Sequence, residues 1–258
     1  MTDQIVETNT TDLVAYTLRL ADDALILAQR TGEWIAAAPQ LEEDMALGNL
    51  ALDLLGQARA LLRYAGEVEG RRRDDDALAY LRDEREFTNA QLCELPTGDF
   101  GFTIARLLVF SAFQCELYSR LGSSADETIS AIAAKAIKEV RYHRDHATQW
   151  TLRLGDGTEE SHRRMQTALD AVWPYVDELF LDDSLTKRMT DAGIGVQPST
   201  LRATFDSYVE RVVKDATLSV PAPSVRYQGG RRGVHTEHFG YLLAEMQYLA
   251  RSHPGATW

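Results

Sequence analysis

Apolar residues recur at three- and four-residue spacing along most of the chain, and strict alternation is rare. That spacing belongs to helices with one buried stripe; half-buried strands alternate instead. The pattern predicts an all-α chain with a four-helix core. Helix A spans about 11–37, with Leu13, Leu20, Ala24, Leu27 and Ile35 near one stripe, and Pro39 ends it. Helix B spans about 41–66, and Glu42, Glu43 and Asp44 in its first turn suit the helix dipole. The acids of the charged turn Arg71–Asp76 open a helix over about 74–95, which stops at Pro96-Thr97-Gly98-Asp99. Helix C spans about 100–121 and helix D about 125–154, joined near Gly122-Ser123-Ser124. Further helices are expected over 159–181 (interrupted at Trp173-Pro174), 199–218 and 235–252, with loops at 191–198 and 221–233. This predicts one domain over 1–258, with a core at 11–154 and accessory helices at 158–258.

Composition narrows the function classes. The net charge of -12 and pI near 5.0 argue against nucleic acid and against an anionic membrane surface, both of which select for basic patches. Cys93 and Cys115 belong to no metal-type cluster and read as packing residues in a reducing compartment. The N-terminus has no signal-peptide pattern, and no apolar stretch is expected to span a membrane. A cytoplasmic protein with protein partners is expected.

One residue disturbs the apolar pattern of helix B. Asp53 is the sole acid in the run Leu47–Leu62. An acid on a buried face is costly unless it is paired or holds a metal. In a carboxylate-bridged di-metal bundle, Glu-x-x-His sits at such a place, both side chains pointing inward. Here the residue three further on is Gly56, which ligates nothing. At 1.5 Å per residue, Asp23 and Asp53 lie about 24 and about 21 Å from the turn at Pro39, nearly level. Helix D carries Glu139, Tyr142, His143 and His146. Tyr142 holds the i+3 place a histidine would need, and His143 is displaced to i+4. On helix C the level matched to Glu139 falls near Val109 and Phe110, and Glu116 lies roughly 10 Å off along the axis. The set Asp23, Asp53, Glu139, Tyr142, His143 and His146 therefore reads as the remnant of an incomplete site. Asp53 is expected to be buried, bonded within the bundle and metal-free, with Arg59, Arg106, Lys138 and Arg141 as available ion partners.

At these residues the chain resembles a known family. ALDLLGQAR (51–59), LRDEREFTN (81–89), KAIKEVRYH (135–143), LADDALILAQRTGEW (20–34) and, most specifically, RRGVHTEHFGYLLAEMQYLARSHPGATW (231–258) are similar to the C-type subunits of the phenylacetyl-CoA ring-1,2-epoxidase family. The resemblance covers nearly the whole chain. It implies a ferritin-like fold of the bacterial multicomponent monooxygenase type. It also implies a structural role beside a homologous catalytic A-type subunit, which holds the di-iron centre and binds phenylacetyl-CoA. Other subunits bridge the assembly, and a flavin and iron–sulfur reductase delivers electrons from NADPH. No cofactor and no catalytic residue is then expected in this chain.

Two other readings stand beside this one: a self-sufficient ferritin-like di-metal oxidase or oxygenase using the remnant residues, and a metal-free binding bundle. Self-association stays open. The band Lys135, Lys138, Arg141, Arg144 could meet phosphates but fits a solvated helix face, and Arg231-Arg232 fits a loop that anchors the last helix. Trp34, Trp150, Trp173 and Trp258 read as packing or interface residues.

Overall fold

The computed structural model describes residues 2–256, and these are helices, turns and loops with no strand among them. The expected core is present. Helix α1 (Thr2–Gly32) packs along α2 (Leu41–Glu69), and α5 (Phe100–Leu121) packs along α6 (Glu127–Gly155), while α2 also meets α6. The all-α class stands, and the bundle is consistent with a ferritin-like arrangement.

Helix α5 is the central element. It is buried on nearly every face, from Ile104 through Leu121, and α7 (Glu159–Val172) and α9 (Arg202–Asp215) cover the sides that α6 leaves open. The expectation that no stretch reaches membrane-span character needs correction. Phe100–Leu121 is long and apolar enough by length and composition, and it is apolar because other helices enclose it. Side-chain caps start the helices where the sequence allows: Asp74, Asp99, Asp126, Thr158 and Asp183 each accept a backbone N–H of the first turn.

Several boundaries differ from expectation. Helix A stops at Gly32, and residues 33–39 form turns in which Ala36 has positive φ and donates its N–H to Asp44 Oδ1 at 2.6 Å. The helix expected over 74–95 is broken into α3 (Asp75–Tyr80), a 3-10 turn at Glu84–Glu86, extended residues and the single turn α4 (Gln91–Glu94). The cause lies in the side chains. The backbone N–H groups of Thr88, Ala90 and Gln91 donate to Asp22, Asp23 and Glu178 instead of to carbonyls one turn back. Trp173-Pro174 ends α7 and leads into two 3-10 turns. Helix α8 (Ser184–Asp191) was not expected, although Asp183 and Thr186 form its capping box. The helix expected over 199–218 is a 3-10 turn followed by α9. The last helix, α10 (Phe239–Ser252), starts four residues late because the backbone N–H of Thr236 donates to Glu94.

Candidate functional site

The two acids expected to be level across α1 and α2 serve different parts of the molecule. Asp23 is buried and holds Arg231 in a two-pronged ion pair, both contacts 2.8 Å, while accepting the N–H of Ala90 at 2.7 Å. Its neighbour Asp22, fully buried, holds Arg82 and the N–H of Thr88. Asp22 and Asp23 are thus both occupied in fixing the irregular segment 82–94 and the C-terminal loop. A charge-assisted fork of this kind satisfies the carboxylate and leaves little capacity for a cation.

The same region holds two more buried carboxylates. Glu94 accepts from Asn89 Nδ2 at 2.9 Å and from the N–H of Thr236, and its contact with His235 Nδ1 is 2.7 Å. Burial works against the charged form of His235, but the bond to Glu94 and its field outweigh burial and raise the imidazole above its ordinary value. Glu178 accepts three backbone N–H groups, from Gln91, Gly229 and Gly230, at 2.7–2.8 Å. Sequence reasoning missed Asp22, Arg82, Glu94, Glu178 and His235. The one available signal was their occurrence inside otherwise apolar or turn-forming stretches, which does not reveal partners far along the chain. Arg231 anchors a loop, as its pattern indicated.

The second cluster lies between α2 and α6. His143 is buried, and its Nε2 lies 3.1 Å from Asp53 Oδ2. Burial lowers the His143 imidazole below its ordinary value despite the opposing pull of Asp53. A neutral ring beside a carboxylate carries its proton on Nε2 and donates it. His146 Nε2 meets Glu43 Oε2 at 2.8 Å, and Glu139 accepts from Gln57 Nε2 at 3.0 Å with Lys135 at 3.7 Å. Glu43 and Gln57 were not expected here. Glu43 was assigned to the helix dipole alone, and Gln57 carries no charge to draw notice.

The structure corrects four expectations. Asp53 is bonded within the bundle, but its side chain is 35% exposed rather than buried, because α2 turns it toward the rim of the α2–α6 contact. Asp23 is not drawn to Asp53; Arg231 takes it. Tyr142 points outward and is half exposed. Of the four cations expected near the remnant, Arg59 pairs with Asp75, and Arg106 is buried against the carbonyls of Leu95 and Pro96, where burial pulls it down to about 10.

On α5, the level matched to Glu139 is filled by buried Val109 and Phe110. Glu116 is half-buried. Tyr118 is buried, and its phenol is raised by burial first and then by the fields of Asp23 and Glu139. Both cysteines are buried free thiols. Trp34 donates to Thr103 and Trp173 is buried; Trp258 lies outside the described residues.

Among the described residues, no three His, Cys, Asp or Glu side chains are grouped to hold one ion. A di-metal centre needs four carboxylates and two histidines converging in the bundle. Here the carboxylates are split between two clusters, each with its own partner. Gly56 offers no donor. The donor set does not fit a di-iron centre.

Comparison with known proteins agrees with the pattern seen in the sequence. The chain is 49% identical over 246 residues to the C-type subunit of 1,2-phenylacetyl-CoA epoxidase from Escherichia coli (strain K12), a match covering 95% of this chain and 99% of that protein. All of residues 1–258 match the family described as phenylacetic acid catabolic protein. On this full-length match and this identity, the chain belongs to the phenylacetic acid catabolic protein family.

Proposed function

We propose that this chain is a non-catalytic structural subunit of a 1,2-phenylacetyl-CoA epoxidase, acting in aerobic phenylacetate breakdown beside a homologous catalytic A-type subunit. The 49% identity to the C-type subunit of such an epoxidase, extending over nearly the full length of both chains, supports the complex. The observation that carries the non-catalytic role is the fate of Asp23, which is bound by Arg231 and the N–H of Ala90 and so is spent on the fold. Breaking that buried pair to release a ligand would cost several kcal/mol.

In this reading the chain holds no cofactor. The di-iron centre belongs to the catalytic partner, and NADPH, flavin and iron–sulfur chemistry belong to the reductase. A cytoplasmic location follows from those partners, and an acidic surface suits protein contacts rather than nucleic acid or anionic lipid. Co-expression with the A-type subunit followed by size-exclusion chromatography tests the assignment. Co-elution at a fixed ratio is expected; separate elution at micromolar concentration would contradict it.

A further inference from the structure

Helix α2 carries an exposed seam that the fold does not use. Leu41, Met45, Leu52 and Leu55 are 72, 62, 66 and 43% exposed. With Gly48 and Arg59 they follow a four-three-four-three-four spacing, the period of a helix that packs along another helix. Two grooves flank this ridge. One, of about 430 Å³, is lined by Ala28, Gly32, Gly48 and Ala51 beside larger side chains such as Ile35, Tyr80 and Met246. The other is a notch of about 230 Å³ between α2 and α6, lined by Gly56, Gln57, Ala60, Ala131, Ile132 and Glu139, with Lys135 and Ala136 completing it.

The notch has unmet chemistry. Gln57 is only 4% exposed, and its Oε1 has no hydrogen-bond partner. Its Nε2 is already committed to Glu139. A buried acceptor without a donor is costly, so the notch favours a group that brings N–H donors. Glu139 adds negative charge beside it, with Lys135 only loosely paired at 3.7 Å. Arg59 and Arg63, the cations on the ridge, are already paired with Asp75 and Glu67.

We propose that this face docks a helix of the partner subunit, which lays aliphatic side chains along the Leu41–Leu55 seam and places an arginine in the notch, donating to Gln57 Oε1 and the Glu139 carboxylate. An arginine fits because its fork supplies several donors and its stem fills the apolar walls. A second copy of this chain would bring the same acidic balance of -12 and is disfavoured. From Leu41 to Arg59 the seam runs about 27 Å, roughly five helical turns, long enough for a partner helix to lie along it.

The inference rests on the structural-subunit reading, and one experiment separates the two. Binding of the intact chain to the purified A-type subunit is measured by calorimetry, alongside L52D, Gly56→Leu and Glu139→Gln. Gly56 has open space around a new Cβ and Leu52 is exposed, so both variants keep the fold, which circular dichroism and melting check. Each of the three is expected to weaken binding by about tenfold or more, as central interface changes do, while Lys187→Ala, at an exposed site on α8, does not. Unchanged binding in L52D and Gly56→Leu would overturn the docking face and leave the subunit reading intact. Absence of binding by the unaltered chain would overturn both. Self-association of the unaltered chain, abolished by L52D, would assign the face to a second copy and overturn the heterologous docking.

Discussion

His143 and His235 are both buried, yet their carboxylate partners act with different strength. Burial keeps His143 below its ordinary value, and Glu94 lifts His235 above its own. In the unfolded chain both titrate at about pH 6.5. Below that value the unfolded state takes up a proton that native His143 refuses, so stability falls as pH drops through the window beneath about 6.5. The stability from His235 is fully present below about 6.5 and is lost as pH rises through its raised value. Stability in urea is therefore expected to peak at a pH of about 6.5. His143→Gln should flatten the acid side and His235→Gln the alkaline side; a steady rise with pH in all three proteins would refute the assignment. Asp22 carries a larger load. Asp22→Ala strands Arg82, itself 2% exposed, and is expected to cost about 3–5 kcal/mol by chemical denaturation. At this scale the sequence was only half legible. That Asp53 is bonded within the bundle was legible from its place in an apolar run, but its partner, His143, was not among the cations expected for it. The capture of Asp23 by Arg231 could not be anticipated, since 208 residues separate them and periodicity carries no information about such contacts.

Among the elements, glycines mark where backbones touch. A Cβ on Gly230 would lie 2.0 Å from the carbonyl oxygen of Asn89, so Gly230→Ala must displace the loop that Glu178 and Arg231 hold. Gly56 on α2 has no such neighbour, and Gly56→Ala gains helix propensity. The expected outcome is a loss of at least about 2 kcal/mol for the first and a gain of up to about 1 kcal/mol for the second, read from paired denaturation curves. The four long helices were legible because their apolar stripes are long and their ends carry Pro, Gly or acidic caps. The stretch 82–94 was not. Its composition suits a helix, but its backbone donors are claimed by carboxylates from α1 and from the segment before α8, and tertiary bonding overrode local preference.

The whole molecule pairs a fully packed interior with an unpacked exterior strip. Val109 and Phe110 on α5 fill the bundle at the level of Glu139, where an opposing carboxylate would be needed. Leu41, Met45, Leu52 and Leu55 stay exposed in one line along α2, and Tyr241, Tyr248 and Leu249 stay exposed on α10. A chain selected to work alone would bury or replace such residues; a subunit has reason to keep them. In the sequence, Gly56 where a histidine would stand and the displaced histidine on α6 pointed to an incomplete site. The division of the carboxylates into two separately satisfied clusters was legible only in three dimensions. The central claim is that this bundle supports chemistry without performing it, and iron content tests it most directly. The chain is purified alone from iron-replete cells, with Glu139→Ala in parallel, and iron per chain is measured by mass spectrometry. The expected result is far less than one iron per chain, the same in both proteins. About two irons per chain, lost in Glu139→Ala, would match a working di-metal bundle and contradict it.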